Sequence, residues 1–139
     1  MKKCAFCNIA DGVEDAHIVY ENESVLAFLH IAPVNKGHVL VIPREHFHSI
    51  VSIPHDILNT LTDAARRVAV AVMRATGSEG FDLIVANGTC AGQLSPHAYI
   101  DVIPRWVDDG ITLPARCVEY ADETEKTALI NTLRERLKP

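Results

Sequence analysis

The sequence predicts an α+β domain, in which an antiparallel sheet of about five strands packs helices on one face. Two observations lead to this class. Short apolar segments separated by turn residues crowd the first half of the chain, and from Pro54 the apolar residues recur at three- and four-residue spacing instead. The 139 residues are close to the usual size of one domain, so we expect a single domain over residues 1–139.

Each predicted strand is a short apolar run with a turn signal beside it. The five runs are residues 18–20, 25–28, 38–42, 81–85 and 98–103. Pro43 and Pro104 are expected to end the third and fifth runs, and the Asn87-Gly88 pair is a turn signal between the last two. The first three runs are typical of an antiparallel meander.

Two helices are predicted. A long amphipathic helix of about five turns has Pro54 in its first turn and ends at Gly77. A C-terminal helix begins at Asp122, with Glu125 three residues on as a capping pair. Its apolar residues on one side are Leu129, Ile130, Leu133 and Leu137.

Composition and charge exclude some partners. The net charge is -5, and no basic run is dense enough to neutralise several phosphates, so we expect no nucleic-acid partner. No stretch approaches 18 apolar residues, and the start of the chain lacks the apolar run of a signal peptide. We therefore expect a cytoplasmic protein that does not span a membrane.

The last predicted strand carries the most chemistry. Alternation places His97, Tyr99 and Asp101 on one face, about 6.6 Å apart in succession, and small or apolar residues on the other. This spacing suits groups that contact one bound ligand. By pattern alone, an ordinary half-solvated strand is an equal alternative.

Three ordered motifs resemble the histidine-triad (HIT) family, in particular its bacterial zinc-containing members. They cover the chain from Cys4 to Trp106. The motifs are Cys4-x-Phe6-Cys7-x-Ile9, then Phe28-x5-Val34-x2-Gly37-His38-Val39-Leu40-Val41-Ile42-Pro43-Arg44-x-His46, and then residues 87–93 with His97 and Val102-Ile103-Pro104-Arg105-Trp106. The resemblance implies a HIT-like fold, a homodimer and a pocket for a nucleotide or a related phosphate compound.

Four positions depart from the pattern that the resemblance implies. The family's nucleophilic histidine, which attacks the α-phosphorus of a nucleotide, is replaced by Tyr99. The third triad histidine is Asp101, the ribose-binding aspartate is His30, and the serine after the loop glutamine is Leu94. We expect these four side chains to line one pocket.

The replacement of the nucleophile handicaps the family's reaction. A phenol of pKa about 10 is ionised to only roughly one part in a thousand at pH 7, unless a base assists. His38 and Asp101 are the candidate bases for Tyr99. A neutral imidazole at His30 offers one acceptor, whereas a carboxylate can accept both ribose hydroxyls.

A zinc site is the second implication. Cys4 and Cys7 have the spacing that lets two thiolates reach one tetrahedral ion. The resemblance supplies His46 and His97 as the other ligands, with His48 as the nearest rival to His46. A redox pair is the alternative use of this spacing, but such pairs usually precede a helix within a βαβ unit, which this sequence lacks.

The loop residues Asn87, Gly88 and Gln93 resemble the family's phosphate and ribose loop, although Asn-Gly is also simply a turn. Three functions follow from these observations. The leading hypothesis is a zinc-containing nucleotide-binding protein with weak, altered or absent nucleotidyl hydrolase activity. The alternatives are an active hydrolase or nucleotidyl transferase that uses Tyr99 or another nucleophile, and a non-catalytic interaction protein.

Overall fold

A computed structural model describes residues 4–112 and 117–139 of the chain. Its sheet has five antiparallel strands in the order β1-β2-β3-β5-β4, which confirms the predicted sheet and its initial meander. The strands are β1 (Ile18–Glu21), β2 (Val25–Leu29), β3 (Val39–Pro43), β4 (Gly80–Ile84) and β5 (Ile100–Arg105).

The bounds of β5 differ from the prediction. The strand begins at Ile100 rather than residue 98, and it continues through Pro104, which pairs with Phe81 of β4. The pairing with β3 reaches only as far as Val102. Pro104 therefore lies where one neighbouring strand has already ended, and its missing N–H removes no ladder bond on that side.

The long helix α2 (His55–Thr76) covers one face of the sheet. Pro54 is its N-cap and Gly77 its C-cap, where a φ of +69° places Gly77 in the left-handed region that favours glycine. The helix buries a stripe of small and apolar side chains against alternate residues of β2, β3 and β5. They are Leu61, Ala64, Ala65, Val68 and Ala69.

A short helix, α1 (Ala5–Ala10), lies on the opposite face of the sheet. Its Phe6 and Ile9 pack against a second apolar cluster, formed by Leu26, Phe28, Leu40, Ile42 and Tyr99. The sequence pattern does not predict this helix, and the prediction that helices pack on one face of the sheet is wrong for α1. Six residues are too few for a helical period to show.

The chain divides into two compact units, residues 1–109 and residues 110–139. The second contains α3 (Glu123–Arg136), which starts as predicted: the Asp122 carboxylate accepts a hydrogen bond from the Glu125 amide at 2.8 Å. No residue of α3 is buried. Among the described residues, no helix is both long and apolar enough to cross a membrane.

Candidate functional site

The four predicted zinc ligands come together in the structure. Cys4 and Cys7 lie at the start of α1, His46 follows β3, and His97 precedes β5. Their ligand atoms all lie within 4.8 Å of one another. Nδ1 of His46 is 3.4 Å from the Cys4 sulfur and 3.2 Å from the Cys7 sulfur, and Nδ1 of His97 is 3.5 Å from each.

The donor set of this cluster fits zinc. Two sulfur and two nitrogen donors are a usual tetrahedral set, and the separations of 3.0–3.5 Å allow one ion to reach all four. Nε2 of the fully buried His97 lies 2.8 Å from the Pro43 carbonyl oxygen, so it carries the proton and leaves the Nδ1 lone pair toward the sulfurs. His48 is exposed and lies beside the His46 ring, outside the cluster.

Burial shifts the pKa of two residues of this cluster, His97 and Cys7. It lowers the pKa of His97, which keeps the imidazole neutral and able to act as a ligand. Burial and the adjacent Cys4 raise the pKa of the Cys7 thiol to about 11. A bound cation would reverse the second effect, because a metal ion stabilises the thiolate.

Tyr99, which the sequence resemblance assigns to the nucleophile position, is a packed side chain. It is 5% exposed, and its ring meets Phe6 of α1 edge-on, with 5.7 Å between the centroids. Its hydroxyl oxygen accepts a hydrogen bond from the Leu94 amide at 3.0 Å. This hydrogen bond therefore closes part of the segment that precedes β5.

His38 and Asp101, the candidate bases, contact each other directly. Nε2 of His38 lies 2.7 Å from Oδ1 of Asp101, and Nδ1 of His38 accepts from the Val34 amide at 3.1 Å. His38 is therefore the tautomer with its proton on Nε2, and both of its nitrogens have partners. The ring of His30 stacks on His38 with centroids 4.5 Å apart.

The loop side chains Asn87 and Gln93 bond to the protein's own backbone. Oδ1 of Asn87 accepts from the Ile50 amide, and its Nδ2 donates to the Val85 carbonyl. Oε1 of Gln93 accepts from the Gly88 amide, while its Nε2 donates to the carbonyls of His48 and Ser95. Gly88 itself has a φ of +90°, so a side chain there would be strained.

A cavity of about 760 Å³ opens beside these groups, within the size range of small-molecule sites. His30 and Leu94 line it; Tyr99, Asp101, Asn87 and Gln93 are not in its lining. Its apolar wall includes residues with no predicted binding role, among them Phe6, Ile9, Phe28 and Leu40. The alternation of side chains along β2 and β3 could have indicated these residues, because it directs Phe28 and Leu40 to the face of the sheet opposite α2.

The fold and the site define a class of small α+β proteins. Its members have a Cys₂His₂ cluster near the start of the last strand, beside a cavity large enough for a nucleotide. The chain belongs to the HIT family, whose domain model matches residues 11–107. An uncharacterized HIT-like protein of Saccharolobus solfataricus is 34% identical over 94% of this chain and 98% of its own length.

Solved structures agree. A HIT family protein from Bacillus anthracis superposes with a TM-score of 0.88 at 34% identity, over 99% of both chains. A histidine triad nucleotide-binding protein from Candida albicans gives 0.81 at 26% identity, over 97% of both chains. A Zn-bound histidine triad family protein from Mycobacterium smegmatis gives 0.73 at 28% identity, over 96% of both chains.

Proposed function

We propose that this chain is a zinc-containing HIT protein that binds a nucleotide or a related phosphate compound and hydrolyses it weakly or not at all. The burial and hydrogen bonding of Tyr99 support this proposal more than any other observation. The apolar cavity, with His30 and Leu94 in its wall, is the proposed ligand site. The nucleotide-binding relative from Candida albicans supports the choice of ligand class.

The phenol of Tyr99 is a poor nucleophile for three reasons. At neutral pH an unassisted phenol is almost wholly protonated. Its oxygen already accepts the Leu94 amide, and its ring is packed against Phe6. The candidate bases His38 and Asp101 are hydrogen-bonded to each other. An attack by the phenol would therefore require both this hydrogen bond and the Leu94–Tyr99 hydrogen bond to rearrange.

Zinc is the proposed cofactor, held by Cys4, Cys7, His46 and His97. An ion with four protein ligands has no open coordination position, so its contribution is structural. It would fasten α1 to the segments that flank β3 and β5. The Zn-bound relative supports this assignment, as does the donor set. A reducing compartment keeps such thiols available, and we place the protein in the cytoplasm for that reason.

Metal analysis of protein purified without chelator tests the cofactor. We expect about one zinc per chain, with two sulfur ligands near 2.3 Å and two nitrogen ligands near 2.0–2.1 Å by X-ray absorption. A Cys4→Ser, Cys7→Ser double variant should lose the metal, whereas Cys90→Ser, which changes an exposed thiol, should keep it. Purified protein without zinc would contradict the assignment.

Steady-state assays with an adenosine phosphoramidate test the catalytic part. We expect hydrolysis to be at least about 10³-fold slower than in a relative with the full triad, on the scale of losing a nucleophile. Turnover near 1 s⁻¹ would overturn this part of the proposal and favour the active hydrolase. Loss of that turnover in Tyr99→Phe would then identify the phenol as the nucleophile.

A further inference from the structure

We propose that the metal cluster and the ligand cavity are linked through α1, so that zinc loading raises the affinity of the cavity for its ligand. The proposal rests on the proposed function, because it couples the zinc site to the nucleotide site. The two sites meet at Cys4, whose sulfur belongs to the metal cluster and which also lines the cavity. Cys7, His46 and His97 belong to the cluster but are not in the cavity lining.

Helix α1 and the segment that follows it form one wall of the cavity. Residues 14–17 line the cavity together with three residues of the helix, which are Ala5, Phe6 and Ile9. The backbone ties the two parts of this wall together, because the Asn8 carbonyl oxygen accepts from the amides of Val13 and Glu14 at 2.8 and 3.2 Å. A movement of α1 would therefore move the whole wall.

The position of α1 depends on a small set of contacts. Outside the metal cluster, Phe6 and Ile9 pack on the apolar cluster of the sheet, and a guanidinium nitrogen of Arg44 donates to the Ala10 carbonyl oxygen at 3.3 Å. None of the six helix residues is buried, and six residues do not form a stable helix alone. Metal coordination by the two cysteines would therefore contribute much of what fixes this wall.

His97 connects the metal cluster to a second part of the cavity lining. Residues 94–96 line the cavity, and His97 follows them directly in the chain. The imidazole is fully buried, its Nε2 lies 2.8 Å from the Pro43 carbonyl oxygen, and its ring meets Phe6 edge-on with 5.9 Å between the centroids. Coordination by the two cysteines and His97 would therefore hold α1 and residues 94–96 at a fixed separation.

A third part of the lining belongs to the sheet and needs no metal. Phe28 of β2 and Leu40 of β3 are buried cavity residues, and these two strands pair along their whole length. A ligand that binds to zinc-free protein has to order α1 against this fixed surface, which lowers its affinity. Zinc loading orders the wall in advance. Because such a coupling is reciprocal, the ligand must raise the zinc affinity by the same factor.

Calorimetry with adenosine 5′-monophosphate at pH 7.5 tests the linkage. We expect Kd to be about tenfold higher, or more, in chelator-treated protein and in Cys7→Ser than in zinc-loaded protein, a factor within the usual range of such couplings. Cys7→Ser removes a metal ligand that is not in the cavity lining. Zinc added back should restore the affinity of the chelator-treated protein but not that of Cys7→Ser. Cys90→Ser changes an exposed thiol outside both sites, and this matched control should bind as the original protein does.

Two further measurements separate this linkage from a purely structural ion. Saturating nucleotide should raise the zinc affinity, measured against a competing chelator, by the same factor. On zinc removal, the Asn8 and Asp11 amides, which donate to the carbonyls of Cys4 and Cys7, should lose protection from hydrogen exchange by a larger factor than the amides of β3, which pairs on both sides.

The outcomes that contradict the linkage differ from those that contradict the proposed function. Equal loss of protection in α1 and β3, loss of the whole fold on zinc removal, or an unchanged nucleotide affinity would overturn the linkage alone. Failure of the protein to bind zinc, or of the zinc-loaded protein to bind the nucleotide, would overturn the proposed function and the linkage with it.

Discussion

Tyr99, just before β5, is a large buried side chain on the face of the sheet that α1 covers. Its ring completes the apolar cluster that receives α1, and its hydroxyl satisfies a backbone amide of the preceding loop. A histidine at this position would offer a smaller ring to pack against Phe6. At the scale of one residue, Tyr99 contributes packing at the position that the sequence resemblance assigns to a reactive group.

Removing only the hydroxyl measures the second of these contributions. We expect Tyr99→Phe to destabilise the protein by about 1 kcal/mol, because the Leu94 amide loses its acceptor while the ring packing remains. Denaturant unfolding gives the free energy, and hydrogen exchange at Leu94 should quicken. Tyr120→Phe changes an exposed phenol and should have little effect. Equal values for the two variants would refute the role of the Leu94 hydrogen bond.

The structure brings some of the predicted site residues together and leaves others bonded to the backbone, for a physical reason. The Cys4–Cys7 spacing and the family motifs brought the four metal-ligand candidates together correctly. The partners of the side-chain amides in the loop were harder to predict. An amide that binds a ligand and an amide that binds the protein's own backbone have the same sequence pattern. Asn87 and Gln93 bond to the backbone, and that depends on the Ile50 and His48 segments, which are distant in sequence.

At the scale of elements, the sequence predicts which side chains of a strand face α2, but it does not predict where each strand ends. The Ile100 and Val102 face packs against α2 as the period of two required. The end of β5 depends on where β3 stops pairing, which no local pattern encodes, so the predicted end of the strand at Pro104 is wrong. Helix α1 depended on a tertiary cluster for its stability, since six residues cannot form a stable helix alone.

Helix α1 should therefore depend on the proposed metal. We expect Cys4→Ser to destabilise the protein by more than about 2 kcal/mol, because binding at a structural zinc ion is coupled to folding. Thermal unfolding should show the loss, and chelator should reproduce it in the original protein. Cys90→Ser removes an exposed thiol and should leave the transition unchanged. A Cys4→Ser protein as stable as Cys90→Ser would argue against a structural ion.

At the scale of the whole molecule, His30 should make folding stability depend on pH. Burial, followed by the nearby His38, lowers the pKa of His30 below the ordinary value of about 6.5, and Asp101 opposes this shift. Between the folded and unfolded pKa values the unfolded chain binds more protons, so stability rises with pH in that window and falls as the solution is acidified below about 6.5.

Unfolding measurements from pH 7.5 down to 5 check this dependence. We expect the free energy of unfolding to fall less steeply with acidification in His30→Phe than in the original protein. The variant lacks the histidine whose pKa is lowered in the folded state. His17→Phe, which changes a histidine that lines the same cavity but lies outside both clusters, serves as the control. Zinc release at low pH should affect all three proteins alike. Parallel curves for the original protein and His30→Phe would show that His30 does not contribute.

The predicted homodimer is also a property of the whole molecule, and the edges of the sheet provide a way to test it. The edge strand β4 exposes Phe81 and Leu83 by 39% and 44%, and apolar side chains on an unpaired edge favour association with another chain. We expect sedimentation velocity to give twice the mass of one chain at micromolar concentrations, and a Phe81→Lys, Leu83→Lys double variant to sediment as a monomer. Val19→Lys, on the opposite edge strand β1 and 50% exposed, is the matched control and should remain dimeric. If the original protein sediments as a monomer, the homodimer is contradicted. If Val19→Lys alone dissociates the dimer, the interface lies at β1, because the added charge then interrupts association at that edge and not at β4.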